Sequence, residues 1–303
     1  MASQVLKWIG RVLGVLLGLG IVGAIVLYLY TEPILNKTYD IPVENMVIPS
    51  DATTIARGKH LIDSIAFCQE CHGNDFAGVV QVDDLLTGRL VAGNLTSGKG
   101  GIGRTYTDAD FVRAIRHGVH SNGKPLIAMP ANLFNKLSEA DLAAVIAYIK
   151  TVPPVDKELA STELRLLGRL YIVMMPEEVV PSSTIDHSAV RSYAPPPGVT
   201  VEYGKYLAFA CTVCHGEDFA GKPGEGGGVN LTPGGELATW SEADFIQTMR
   251  TGIAPDGKHL DNEKMPWKRI GQLTDDELKA IWLFLRTVPP VKDAHPTPTR
   301  ANK

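Results

Sequence analysis

All four cysteines of this 303-residue chain fall in two copies of one pentad: Cys68-Gln69-Glu70-Cys71-His72 and Cys211-Thr212-Val213-Cys214-His215. Two residues between the cysteines bring the thiols about one helical turn apart, where each can form a thioether to a haem vinyl group. The adjacent histidine is then pushed under the iron as proximal ligand. The pentads therefore predict two covalently bound haem c groups, attached through Cys68, Cys71, Cys211 and Cys214, with His72 and His215 as axial ligands. Competing cysteine chemistries fit less well. A structural zinc site would need the two Cys-x-x-Cys units folded together, yet each stands in its own complete repeat and is followed by histidine. A thioredoxin-like dithiol needs neither the histidine nor a second copy. A disulfide framework suits smaller secreted domains.

Haem attachment of this kind requires maturation outside the cytoplasm, and the amino-terminal segment agrees. Val12 to Tyr30 carries no charge and is rich in Leu, Val, Ile and Gly, enough for one membrane-spanning helix. It runs out through Tyr28, Leu29, Tyr30 and Pro33 with no small-residue cleavage site, which predicts an uncleaved anchor over 1–31. Lys7 and Arg11 precede the span and Glu32 follows it. The positive-inside rule thus puts the amino terminus in the cytoplasm and the rest of the chain on the periplasmic or outer face of a bacterial cytoplasmic membrane. Gly10, Gly14 and Gly18 form a small-residue stripe that could meet a second transmembrane helix. The net charge of −4 excludes little. Residues 51–155 hold ten basic and ten acidic side chains, and 198–293 hold ten and fourteen, so the second half is the acidic one. Nothing suggests nucleic-acid binding.

The elements that must position the pentads repeat with them. Arg57-Gly58-Lys59 opens one copy and Tyr203-Gly204-Lys205 the other. Both continue through Cys-His-Gly-x-Asp-Phe-Ala-Gly, Asn-Leu-Thr at 94–96 and 230–232, Met129-Pro130 and Met265-Pro266, and end in Thr-Val-Pro-Pro-Val at 151–155 and 287–291. This is tandem duplication of a domain. Thr107-x-x-Asp110 and Ser241-x-x-Asp244 predict capped helix starts, and Gly118 and Gly252 the stops. Ser138-x-x-Asp141 and Thr274-x-x-Glu277 open a last helix in each copy, apolar at helical spacing through Leu142, Val145, Ile146 and Ile149 and through Leu278, Ile281, Trp282 and Leu285. No stretch shows strand periodicity. The predicted fold is all-α: an anchor over 1–31, a tether over 32–52, domains over 53–155 and 199–293, a linker over 156–198 and a tail over 294–303.

Both halves resemble class I cytochrome c domains, over about 57–155 and 203–291. In particular they resemble those of the membrane-anchored cytochrome c subunits of bacterial dehydrogenases and related diheme carriers. The residues that carry the likeness are Asn94-Leu95-Thr96 with Gly101-Ile102-Gly103, His117-Gly118, Asn122-Gly123-Lys124 and Met129-Pro130. In the second copy they are Asn230-Leu231-Thr232-Pro233, Asp256-Gly257-Lys258 and Met265-Pro266. The resemblance implies that the first helix crosses the last at a glycine beside an aromatic residue, roles that Gly58 with Tyr148 and Gly204 with Phe284 fit. It also makes the Asn-Leu-Thr triplets haem-crevice loops, although they match a glycosylation acceptor as well.

Methionine is the usual distal partner in such domains, and Met/His ligation raises the reduction potential. Of the seven methionines only Met129 and Met265 stand at matching repeat positions, each before proline; Met249 falls on an apolar helix face. The longer His72-to-Met129 spacing arises between His72 and Asn94, in the loop around 79–92. His117, His120 and His259 lie upstream of the methionines as weaker alternatives, and His60, His187 and His295 have no evident role. Tyr106 and Trp240 could face a haem propionate or fill the core. In the linker, Leu164, Leu166, Leu167, Leu170, Tyr171, Val173 and Met174 form an apolar stripe, predicting a short amphipathic helix. It could bridge the domains, which is the favoured reading, rest on the membrane surface, or cover a partner.

The expected function is single-electron transfer without substrate chemistry. The resemblance implies a quinol-oxidising complex or dehydrogenase as donor and an oxidase or soluble carrier as acceptor. The alternative is a diheme cytochrome c peroxidase, which needs one iron open to peroxide beside an acid–base group.

Overall fold

A computed structural model describes residues 2–42, 46–189, 193–222, 224 and 227–292; the tail and His295 lie outside them. In chain order the principal elements are α1 (Ala2–Leu35), α2 (Ala52–Leu61), α3 (Cys68–His72), β1 (Val79–Asp84), β2 (Gly88–Ala92), α4 (Asp108–His117), α5 (Ala131–Phe134) and α6 (Glu139–Thr151). Then follow β3 (Glu163–Leu164), α7 (Leu166–Met174), α8 (Pro176–Val179), α9 (Val201–Leu207), α10 (Thr212–His215), α11 (Glu242–Thr251), α12 (Trp267–Ile270) and α13 (Asp275–Leu285). They group into two compact units. One comprises 1–46, 71–135 and 152–189, the other 47–70, 136–151 and 190–303.

The helix signals read from the sequence reappear as geometry. Thr107 and Asp110, Ser241 and Asp244, and Thr274 and Glu277 form reciprocal capping boxes at the starts of α4, α11 and α13. Ser138 Oγ accepts from Asp141 N at 3.1 Å at the start of α6. α1 runs without a break through the predicted span and on past Pro33 to Leu35. Among the described residues it is the one helix long and apolar enough to cross a membrane.

In the unit that carries 190–303, two helix pairs make the core: α2 against α6, and α9 against α13. Each pair closes at a glycine. A Cβ on Gly58 would fall on the carbonyl of Ala144, and one on Gly204 on the carbonyl of Ala280. These crossings lie one helical turn before Tyr148 and Phe284. Leu61, Leu142 and Ile146 are buried at the first pair, and Leu207, Leu278, Ile281 and Leu285 at the second.

The same unit holds a polar cluster that the sequence did not announce. Arg57 forms a two-pronged pair with Asp141 (Nε–Oδ1 2.9 Å, Nη2–Oδ2 3.1 Å) and reaches Glu277 with Nη1 at 3.0 Å. His60 Nε2 lies 2.7 Å from Glu277 Oε2, and the Tyr206 hydroxyl donates to Asp141 Oδ2 at 2.7 Å. Arg57 and Tyr203, His60 and Tyr206, and Asp141 and Glu277 occupy matching positions in the two copies. The exchange is therefore reciprocal: each copy's first helix supplies donors to the carboxylate that opens the other copy's last helix. His60 accordingly has a partner, although no role was evident for it from the sequence.

Burial works to raise the Glu277 pKa, but hydrogen bonds from His60, Thr274 and Arg57 outweigh it and hold the carboxyl at about 2. A carboxyl lowered from its ordinary 4.5 stabilises the fold above that value, and the contribution is lost as pH falls toward 2. Urea unfolding should therefore show wild type losing roughly 2–3 kcal/mol relative to Glu277→Gln between about pH 5 and pH 2. Parallel pH profiles for the two proteins would refute this.

Two features of the other unit depart from the sequence expectation. The loop around 79–92 is an antiparallel hairpin, β1 with β2, extended to three strands by β3 of the linker. Val79, Val80 and Val82 favour a pleated strand, and Asp84 Oδ1 nucleates the turn by accepting from Leu86 N at 2.8 Å and Thr87 N at 2.7 Å. A register shift between Val80 and Val82 breaks the two-residue period that would have revealed it. The tether does not hang free either. Tyr39 N donates to Gly123 O at 2.9 Å, the Lys124 ammonium bonds the Asn36 carbonyl, and Ile41 is buried.

Candidate haem sites

Each pentad ends a short helix. α3 carries Cys68, Cys71 and His72, and α10 with the 3-10 turn before it carries Cys211, Cys214 and His215. A glycine with positive φ follows each histidine, 78° at Gly73 and 80° at Gly216, and turns the chain back. The return is closed by Gly78 N to His72 O (2.8 Å) and Gly221 N to His215 O (2.9 Å).

The imidazoles are oriented identically. His72 Nδ1 lies 2.8 Å from Gly93 O, and His215 Nδ1 lies 2.7 Å from Val229 O. A carbonyl only accepts, so Nδ1 carries the proton in both rings. The Nε2 lone pair is left for a metal, which is the arrangement that fixes ligand tautomer and raises ligand basicity. Burial lowers the pKa of both rings, against the pull of those carbonyls, and so favours the neutral form that ligation requires. In the second copy the fit is tight. A Cβ on Gly228 would come within 2.5 Å of His215 Nδ1, so the chain can lie along the ring only as glycine there. The position had a signal, as the last of the glycines at 226–228.

The Cys211 thiol points the same way. Burial, with the neighbouring Cys214 second, pushes the Cys211 thiol up to about 12. A zinc thiolate would have to meet that desolvation cost, whereas a thioether has no proton to lose. Among the described residues no three His, Cys, Asp or Glu side chains gather as a metal cage. The residues present fit haem c.

The crevice walls are also duplicated. Asn94 Nδ2 donates to Val155 O at 2.8 Å and Asn230 Nδ2 to Val291 O at 2.7 Å. Thr96 Oγ1 and Thr232 Oγ1 each accept at 3.0 Å from the backbone N of the same two valines. Both asparagines are buried with their amides in use, which rules against the glycosylation reading and ties each loop to the valine that ends its copy. Met129-Pro130 and Met265-Pro266 share one backbone shape. Each proline is an inverse γ-turn (φ −76°, ψ 57° and φ −74°, ψ 57°) closed by Ala131 N to Met129 O at 2.7 Å and Trp267 N to Met265 O at 2.6 Å. Both methionines are half-buried.

His117 is buried with Nδ1 3.0 Å from His187 Nδ1, His120 Nδ1 lies 3.2 Å from the Tyr106 hydroxyl, and His259 sits in a backbone bridge with Ile253. Met249 is core. The pentads have further neighbours. Arg269 Nη1 donates to Gln69 Oε1 at 2.8 Å and the guanidinium pairs with Glu70, while Lys136 Nζ pairs with Glu217 at 2.8 Å. Each of these cations lies shortly after a Met-Pro turn in sequence; Arg269 reaches the pentad of the other copy, and Lys136 reaches Glu217 just beyond the other pentad.

Each half matches a cytochrome family of its own. Residues 53–149 match the family described as cytochrome c oxidase, cbb3-type, subunit III, and residues 201–289 match cytochrome c. The chain is 28% identical over 280 residues to the cytochrome c subunit of alcohol dehydrogenase (quinone) of Gluconacetobacter polyoxogenes, covering 80% of this chain and 57% of that one. It is 26% identical over 285 residues to the fructose dehydrogenase cytochrome subunit of Gluconobacter japonicus, covering 82% and 55%. It is 36% identical over 100 residues to the gluconate 2-dehydrogenase cytochrome c subunit of Pantoea cypripedii, covering 31% and 22%. The chain thus spans about half the length of the first two relatives. Two equivalent crevices, each within a matched cytochrome c segment, make the chain a diheme cytochrome c, with two covalently attached haem c groups, similar to the cytochrome c subunits of bacterial dehydrogenases.

Proposed function

We propose that this chain is a membrane-anchored electron relay of the bacterial cytoplasmic membrane. It takes single electrons from a dehydrogenase or quinol-oxidising complex and passes them to an oxidase or soluble carrier. The equivalence of the two crevices carries this reading: both present a carbonyl-oriented histidine and the same Met-Pro turn. Bound haem c supplies one-electron chemistry, its iron alternating between ferrous and ferric. The chain's residues do the rest. Cys68, Cys71, Cys211 and Cys214 would attach the groups, and His72, Met129, His215 and Met265 would hold the irons.

A neutral thioether on each iron would favour the reduced state, and the shells around the crevices would set how far. α1 spans the membrane with Lys7 and Arg11 at its cytoplasmic end, and Gly10, Gly14 and Gly18, which face open space within this chain, are available to a partner helix. Similarity to cytochrome subunits of alcohol and fructose dehydrogenases supports a dehydrogenase as the donor. A peroxidase needs one iron open, and two equal Met-Pro turns argue against that.

Purification from membranes in mild detergent tests the reading. A dehydrogenase or quinol oxidoreductase should co-purify, and its substrate, or a quinol, should reduce both haems. A chain that accompanies no redox protein and accepts electrons only from dithionite would overturn it.

A further inference from the structure

We propose that α7 and the tip of the β1–β2 hairpin lie in the outer headgroup layer of the bilayer that α1 crosses, so that the first unit rests on the membrane instead of hanging above it. The proposal builds on the reading of α1 as a membrane span. α7 presents Leu166, Leu170, Val173 and Met174 on one exposed face, at the spacing of a helix stripe, while Gly168 and Ile172 are buried on the other. Met174 is 65% exposed. The hairpin tip adds Leu85 and Leu86, exposed to 79% and 54%.

Tip and helix are one surface. Leu167 N donates to Leu86 O at 2.9 Å and Arg165 N to Thr87 O at 3.0 Å. Gly168 permits this contact, since a Cβ there would strike the Thr87 carbonyl.

The occupant of this face follows from where α7 is fixed. Arg169 donates to Thr31 Oγ1 at 2.9 Å, pairs with Glu32 at 2.7 Å, and lies over the Tyr28 ring at 4.1 Å from its centroid. Val12 to Tyr30 extends about 28 Å as a helix, close to the thickness of a hydrocarbon core. Tyr28 and Tyr30 therefore stand in the interfacial aromatic belt. A helix clasped to Tyr28 and Thr31 is held at headgroup depth, with Arg169 placed as a snorkelling cation at that level. A short helix with an apolar face at that depth is stable lying in the interface plane. Arg89 and Arg165 pair with Glu163, and Arg169 with Glu32. Apolar burial therefore drives the contact, with little dependence on anionic lipid.

Depth-dependent fluorescence quenching tests this in the full-length, haem-loaded protein. Leu86→Cys, Leu170→Cys and Leu19→Cys variants are labelled with an environment-sensitive dye and reconstituted in phosphatidylcholine vesicles, with or without phosphatidylglycerol. Nitroxide lipids carry the quencher near the headgroup or deep in the acyl chain. Labels at 86 and 170 should be quenched about twofold by the shallow nitroxide and little by the deep one, in both lipid mixtures. The label at 19 should respond to the deep nitroxide. Deep quenching at 19 with none at 86 or 170 would refute the surface contact and leave the span standing. An unquenched label at 19 would refute the span and the proposal with it. Quenching at 86 and 170 that appears only after a co-purifying protein is stripped away would assign the face to that protein and overturn the lipid contact.

Discussion

Replacing Met129 or Met265 by alanine should each remove half of the sulfur-to-iron charge-transfer absorbance of the oxidised protein, and the double variant should remove all of it. The reduction potential of the affected haem should fall by roughly 0.1–0.3 V, a fraction of the ~0.8 V range that axial ligands span. The physical cause is the ligand's character. A neutral, polarisable thioether stabilises ferrous over ferric iron, and whatever replaces it from water or protein is a harder donor. The prediction rests on the shared Met-Pro γ-turns, because a turn locked by proline presents the preceding side chain in one direction. Absorbance spectra with potentiometric titration decide it. A double variant that keeps the band would strike Met129 and Met265 from the ligand set. A wild-type protein with one high-spin haem would remove the equivalence of the two crevices.

Gly204→Ala should prevent the second crevice from forming. The added methyl would meet the carbonyl of Ala280, a backbone group that no rotamer change can move. α9 and α13 would have to separate, exposing Leu207, Leu278, Ile281 and Leu285. A cost of about 3–5 kcal/mol is expected, a large share of a domain's stability. Haem-stained protein should lose close to half its haem per chain, and thermal unfolding should begin well below wild type. Gly198→Ala, at a position with nothing within 4 Å, is the matched control and should leave both measurements unchanged. Equal behaviour of the two variants would show that the helices can cross without the glycine.

The two sites were legible from the sequence because their determinants are local. A pentad on a helical turn, a capping box, a Met-Pro turn and an Asn-Leu-Thr loop are each set by residues a few positions apart, and duplication printed each of them twice. The helix caps at Thr107, Ser241 and Thr274 were readable for the same reason. The hairpin at 79–92 was hidden by its bulge, although its valines and the Asp84 turn carried a signal. The Arg57, His60, Asp141 and Glu277 cluster left a fainter trace: complementary chemistry at equivalent positions of the two copies.

By itself the sequence determined that two haem c groups are attached, where the two pentads and the repeated Met-Pro pairs stand, and that one apolar helix precedes the domains. Those properties depend on covalent chemistry, turn geometry and apolar length, all short-range. Tertiary structure alone decided that each copy's first helix bonds the other copy's capping carboxylate, and that the linker joins the hairpin as a third strand. It alone decided that Arg169 clasps α7 to the end of α1. These contacts join residues far apart in the chain, and which surfaces meet is settled by the packing of whole elements, for which a one-dimensional pattern has no coordinate.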